Sequence, residues 1–245
     1  IPFESVTLRV GDTEFVVKGS GSHSARSMRV GGHLFVQTAE QVLEQGRQIA
    51  ARLLECAPGD VEYDAGDDEE TDLGHYRVLG TDRQCSLFDV ADFAVSPDAD
   101  LPDHLRGPLY GLAEIEVPMP AYPNGTHVAE VDVDPETGVV RLVRYSAVDD
   151  AGTVINPMLL EGQVHGGIVQ GTGQATHELA CHDAAGQLVS ASFMDYAVPR
   201  ADDVPYFAVG HNEVPTLTNR LGAKGGGEGG TTPALALVIG AITDA

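Results

Sequence analysis

The stretch Ala129-Glu130-Val131-Asp132-Val133-Asp134-Pro135-Glu136-Thr137-Gly138, continued by Val139 to Val148, decides the fold class of this chain. Ala129, Val131 and Val133 alternate with Glu130, Asp132 and Asp134, the period of a half-buried strand. Asp134-Pro135-Glu136-Thr137-Gly138 is a turn signal, and Val139 to Val148 is the returning strand. Asp149-Asp150-Ala151-Gly152 and Ile155-Asn156-Pro157 then lead to a helix expected from about Met158 to Glu178. A hairpin feeding a long helix predicts an α+β fold, with mixed sheets and packed helices.

That helix carries Gly162, Gly166, Gly167, Gly171 and Gly173. Each interior glycine costs about 1 kcal/mol of helix stability against alanine, so another object is expected to pack very close to it. Gln163, Gln170 and Gln174 fall near one helical face. Their amides suit heterocycle edges and oxo groups, and a close crossing of two helices explains the glycines as well.

Further along, Asn219 to Thr232 reads Asn-Arg-Leu-Gly-Ala-Lys-Gly-Gly-Gly-Glu-Gly-Gly-Thr-Thr. One carboxylate, Glu228, stands among glycines, which let a backbone approach a neighbour closely. Thr232-Pro233 reads as an N-cap followed by proline at the first helical position, opening a last helix from Pro233 to Ala245. A P-loop fits poorly, because Lys224 precedes the glycines and no Gly-Lys-Ser/Thr follows. Taken alone, the run is as good a linker as a site.

Toward the N-terminus, Val6 to Val17 reads as two short strands around Gly11-Asp12-Thr13. Gly19 to Ser27 is a loop of small hydroxyl residues with Arg26, chemistry suited to a phosphate ester and equally to a plain loop. A helix is expected over Gln37 to Cys56, a strand over Tyr76 to Leu79, and a short helix over Ser86 to Ala94 with Ser86 as N-cap. Asp64 to Asp72 is an acidic turn, the acidic loop extending to about 74. Residues 96–108 form a Pro/Asp-rich loop, and Ser190 to Phe193 reads as a strand.

With 14 Lys+Arg against 37 Asp+Glu, the net charge is −23, which repels nucleic acid and anionic membranes. No apolar run reaches the length of a membrane span, and Ile1-Pro2-Phe3-Glu4-Ser5 lacks a signal-peptide pattern. The missing initiator Met suggests a chain that starts within a longer protein. Cys56, Cys85 and Cys181 are too scattered for a zinc or iron–sulfur site and read as reduced cytoplasmic thiols. His23, His33, His165, His177 and His182 show no metal-ligating spacing, so no protein-ligated metal is expected.

Together the segments resemble the molybdenum-binding large subunits of the xanthine dehydrogenase/aldehyde oxidase/aerobic carbon monoxide dehydrogenase family. The resemblance runs from His127 to Gly138, through Val148 to Gly152, Ile155-Asn156-Pro157 and Glu161 to Gln174, to Phe193-Met194-Asp195-Tyr196 and Leu221 to Glu228. It implies that residues 1–245 form the C-terminal portion of the second molybdenum-cofactor-binding domain. It implies a molybdopterin, in its cytosine dinucleotide form, with molybdenum held by the pterin and not by side chains. Glu228 would be the catalytic base. Gln163, Ser22, Ser24, Arg26, Ser27, Lys224, Gly225, Gly226 and Gly227 would bind the cofactor.

The implied activity is hydroxylation, with oxygen derived from water, of an aldehyde, heterocycle or similar small substrate. The implied partners are the remainder of the molybdenum subunit and iron–sulfur (2Fe-2S) and FAD subunits. The chain departs from the family at Arg220, where proline is usual, at Gly226, where valine is common, and in the loop Gly21-Ser22-His23-Ser24-Ala25-Arg26-Ser27. A non-catalytic split subunit that completes the cofactor cleft of a larger chain is the alternative.

Overall fold

The computed structural model describes residues 3–16, 19, 21–66, 74–115 and 120–245. The chain forms two compact units, one of residues 1–21 and 34–115, the other of residues 22–33 and 116–245. Most of the acidic loop, residues 67–73, lies outside the described residues, as does Ser20.

In the first unit a helix, α1 (Ser27–Leu53), contributes its residues from Leu34 onward. An antiparallel sheet of β1 (Val61–Asp64), β2 (His75–Val78) and β3 (Gln84–Ser86) supplies Val61, Tyr76 and Cys85 to a core that includes Ile49 and Ala50 of α1. Tyr76 is fully buried and donates its hydroxyl to the Leu43 carbonyl at 3.0 Å. Gly46 makes room for it, since a Cβ there would strike the Tyr76 hydroxyl. Helix α2 (Leu87–Val95) begins at Ser86 as expected. Ser86 Oγ accepts from Asp89 N at 3.0 Å and the Asp89 carboxylate accepts from Ser86 N at 2.9 Å, a reciprocal capping box.

The second unit is built on the predicted hairpin. Strands β4 (Asn124–Val133) and β5 (Val140–Asp150) pair antiparallel, with a register irregularity between Glu130 and Val131. A short strand, β6 (Ala208–His211), lies parallel to β5, which makes the sheet mixed. One face of this sheet packs Leu142, Tyr145 and Ala147 against Val164 and Ile168 of α3 (Pro157–Thr176) and Ala234 and Val238 of α4 (Thr231–Asp244). The close neighbour that the glycines of α3 called for is α4. A Cβ on Gly167 would lie 2.7 Å from Thr231 N, and one on Gly171 2.6 Å from the Ala234 Cβ.

Four local expectations are overturned. Among the described residues between Val6 and Val16 there is no strand. Asp12 instead organises a turn, its carbonyl accepting from Val16 N at 2.7 Å and its carboxylate from Glu14 N at 3.0 Å. Ser190 to Phe193 is also not a strand. Ser192 opens a turn, its carbonyl accepting from Tyr196 N at 2.8 Å and its hydroxyl bonding Asp195 at 2.9 Å. Finally, Thr232 does not cap α4; Gly230 occupies that position with helical dihedrals. The threonine hydroxyls turn elsewhere: Thr231 Oγ1 donates to Gly167 O and Thr232 Oγ1 to Glu228 O, because the helix start is seated on α3. Helix α1 also starts ten residues earlier than its apolar spacing suggests, so Ser27 is helical.

Candidate functional site

In the second unit three segments that are far apart in sequence converge. The loop Ser22 to Arg26 with Ser27 at the start of α1, the first turns of α3 and the glycine run Gly225 to Glu228 share two cavities. The larger, of about 640 Å³, is lined by Ser24, Ala25, Arg29, His127, Asp149, Glu228 and Thr232 among others. The smaller, of about 270 Å³, is lined by Ser22, Ala25, Ser27, Asn156, Gln163, Lys224, Gly226 and Gly227 among others. Of the sequence-predicted residues, Arg26 and Gly225 line neither of these two.

Ala25 borders both cavities. It and Ser24 adopt the left-handed region, at φ 47° and 53°. For non-glycine residues this costs on the order of 1–3 kcal/mol and concentrates at functional sites. The strain places Ala25 against the glycine run, where a Cβ on Gly225 would come within 2.7 Å of its own Cβ. Gly226 lies closer still to Leu160, and Gly227 faces Gln163 Nε2 and Ala25 with just enough room for a Cβ. The run is a packed wall, not a linker.

Glu228 is exposed toward the larger cavity, and its carbonyl accepts from Thr232 N at 3.1 Å and from Thr232 Oγ1 at 2.9 Å. It therefore stands at the entry to α4. Lys224 turns inward, and its ammonium pairs with the Asp150 carboxylate. Burial raises the Asp150 carboxyl, but Lys224 and the Gly152 and Val214 N–H groups outweigh this and hold it below the usual range. Ser22 Oγ and Ser27 Oγ are hydrogen-bonded to each other. Gln163 lies exposed on α3 with Gln170 and Gln174, and Gln170 accepts from Thr231 Oγ1 at 3.2 Å.

The wall of the larger cavity also holds groups that sequence reasoning missed. His127 Nε2 is 3.1 Å from Asp149 Oδ1, and His127 Nδ1 is 2.9 Å from the Tyr145 hydroxyl. A carboxylate accepts, so Nε2 donates to it, and the Tyr145 hydroxyl meets the ring's other nitrogen, Nδ1. The side chains of His127 and Asp149 are 2% and 8% exposed, and Tyr145 is fully buried. Burial, aided by the Asp149 charge, raises the Tyr145 hydroxyl and keeps it protonated. Gly125 admits this arrangement, since a Cβ there would strike Asp149 Oδ1. The signal was present in the alternation: His127 is in register with inward-facing Ala129, and Asp149 with inward-facing Tyr145 and Ala147.

Among the described residues no group of three or more His, Cys, Asp or Glu side chains could hold a metal ion, and no helix is long and apolar enough to cross a membrane.

Residues 1–205 match the molybdopterin cofactor-binding domain family, and the chain belongs to it. The match stops short of the glycine run, but the similarity to individual relatives continues through it. The chain is 36% identical over 250 residues to the 6-hydroxypseudooxynicotine dehydrogenase complex subunit gamma of Paenarthrobacter nicotinovorans, covering 99% of this chain and 30% of that protein. It is 31% identical over 245 residues to the carbon monoxide dehydrogenase large chain of Hydrogenophaga pseudoflava, covering 100% of this chain and 29% of that one. Its fold matches the crystal structure of a Cu,Mo-CO dehydrogenase with a TM-score of 0.83 at 30% identity, over 95% of this chain and 28% of that chain. The chain thus spans about 30% of the length of the curated relatives it matches.

Proposed function

We propose that residues 1–245 are the C-terminal portion of the cofactor-binding domain of a molybdenum hydroxylase large subunit, acting within a cytoplasmic heteromeric complex. The observation that carries this reading is the convergence of the Ser22–Ser27 loop, Gln163 and the Gly225–Glu228 run on two adjoining cavities. The residues present fit a pterin cofactor. Ser22, Ser27 and Gln163 offer hydroxyl and amide groups around the smaller cavity. Gly226 and Gly227 present bare backbone there, and Ser24 reaches the larger one. Arg26 and Gly225 belong to the same two segments, and Lys224 enters the reading only through the run it begins, its ammonium being paired with Asp150.

A bound molybdopterin, in its cytosine dinucleotide form, would supply the redox chemistry of substrate hydroxylation, and 2Fe-2S and FAD groups on partner chains would be its electron acceptors. The chain's own part is to orient that group and to hold a base beside it. Glu228 is that base: a carboxylate on a wall otherwise made of glycine backbone takes a proton from the reacting centre without competition from a neighbouring side chain of its own segment. Its carbonyl, fixed by Thr232, anchors it at the start of α4. The substrate is a small aldehyde or heterocycle. The name of the 6-hydroxypseudooxynicotine dehydrogenase relative favours an N-heterocycle.

The test is Glu228→Gln in the assembled enzyme. Turnover is expected to fall by a factor on the order of 10²–10⁴, while molybdenum and pterin nucleotide per chain remain unchanged. Turnover within a few-fold of the parent enzyme would remove Glu228 from the chemistry.

A further inference from the structure

The glycine run that carries Glu228 has little stiffness of its own. Gly225, Gly226 and Gly227 separate Glu228 from Lys224, and glycine loses more backbone freedom on ordering than any other residue. Something outside the run must fix its ends. At the far end the tie is Thr232 on the Glu228 carbonyl. At the near end is a set of contacts that no cofactor role explains.

Asp150, at the end of β5, has both oxygens occupied within the protein. Its Oδ1 accepts from Gly152 N at 2.8 Å and Val214 N at 3.1 Å, and its Oδ2 accepts from Lys224 Nζ at 2.5 Å. Both side chains of the pair are 12% exposed. The backbones are joined as well: Lys224 N donates to Ala151 O at 2.7 Å, Thr153 N to Gly222 O at 3.0 Å, and Gly152 bridges Ala223. The approach is so close that a Cβ on Gly152 would strike the Gly222 carbonyl, and both glycines have positive φ, 67° and 69°. Three segments, the end of β5, the stretch after β6 and the glycine run, are thereby held by one carboxylate.

We propose that Asp150 and Lys224 are positioning residues, a buried clasp that closes the glycine run onto the end of β5 and so sets where Glu228 stands. The consequence for Glu228 rests on the reading of that residue as the base; the clasp itself does not. A buried ion pair adds little net stability over an apolar pair of the same shape, because desolvation offsets the attraction. What it adds is a defined geometry: a flexible lysine stem is fixed by a carboxylate whose own orientation two backbone N–H groups have already set. Lys224 is one of only two lysines in a chain of net charge −23, and its charge is committed inside the protein.

The experiment is hydrogen exchange across residues 219–230 in the assembled enzyme containing this chain, for Lys224→Gln, Lys224→Arg, Asp150→Asn and the Lys224→Gln/Asp150→Asn double variant. Cofactor content, kcat and KM are measured on the same samples. The clasp predicts that each uncharged single variant accelerates exchange at Ala223 to Gly225 about tenfold or more, and that the double variant is no worse than the more damaging single. It predicts a fall in kcat larger than any rise in KM, unchanged cofactor content, and substantial rescue by Lys224→Arg. Should Asp150→Asn fail to fold, Lys224→Gln still reads the clasp, because it leaves Asp150 its two N–H partners. Unchanged exchange in Lys224→Gln, or multiplying effects in the double variant, overturns the proposal. So does loss of cofactor with exchange unaltered, which would make Lys224 a cofactor ligand. If exchange responds but Glu228→Gln retains turnover, the clasp stands and the reading of Glu228 as base falls.

Discussion

Adjacent glycines on α3 should respond to the same substitution with opposite signs. A Cβ on Gly166 meets nothing within 4 Å, whereas one on Gly167 would lie 2.7 Å from Thr231 N and 3.0 Å from both Gly230 Cα and Gly230 C. Carbon contacts are comfortable at about 3.5–4.0 Å, so α4 would have to retreat by roughly half an ångström to an ångström. All the obstructing atoms are backbone and none can swing aside. Gly166→Ala therefore gains helix propensity, about 1 kcal/mol. Gly167→Ala gains the same but incurs overpacking of about 1–3 kcal/mol, for a net loss near 1 kcal/mol. The two variants end about 2 kcal/mol apart, roughly a 30-fold difference in opening equilibrium. Hydrogen exchange at the buried amides of α3 and α4 reads that equilibrium directly. If both substitutions shift protection in the same direction, the close crossing of α3 and α4 is not what determines where glycine is needed.

Tyr145→Phe leaves His127 Nδ1 buried without its hydrogen-bond partner, and should destabilise the second unit by about 1–3 kcal/mol; denaturant unfolding followed by circular dichroism measures it. Ser86→Ala removes both the hydroxyl cap and its carboxylate bond at the start of α2, a loss of about 1 kcal/mol, visible as faster exchange at Asp89 and the neighbouring amides. Acid should loosen the glycine run. The folded-state pKa of Asp150 is lowered, so its contribution is complete above the unfolded carboxylate value near ~3.9 and is lost as pH falls through the lower folded value. Exchange at Lys224 N, corrected for intrinsic rates, should stay flat from neutral pH to about 4 and rise only below it; a rise beginning near neutrality would contradict the assignment.

The parts of this fold legible in the sequence are those whose patterns are long and local. The β4–β5 hairpin shows its alternation and its turn, and α3 announces a close neighbour through its glycines. The element missed entirely in the second unit, β6, is four residues long and pairs parallel with a strand about 60 positions earlier, so no local period marks it. Ser190 to Phe193 misled because Phe193 is its one β-prone residue, and the turn-forming bonds of Ser192 decide the local structure. At the site, the resemblance pointed to the Ser22–Ser27 loop, Gln163 and the run ending in Glu228, segments the fold brings together. The His127–Tyr145–Asp149 chain and the Asp150–Lys224 pair were not read out, because each depends on register across strands or on contact between distant loops. Asp149 and Asp150 look equivalent in sequence, yet one serves a histidine across the sheet and the other a lysine 74 residues away.

Gly230 rests so closely on α3 that a Cβ on it would strike the Val164 carbonyl, and Glu228 is only two residues upstream. The spacing between α3 and α4 therefore bears directly on where Glu228 stands. Thickening α3 at Gly167 or Gly171, on the face that meets α4, would press on the start of that helix and so on the segment that carries Glu228. On the reading of Glu228 as the base, random variants of this chain should include a class that folds and assembles yet turns over slowly, with the responsible substitutions on the face of α3 that meets α4.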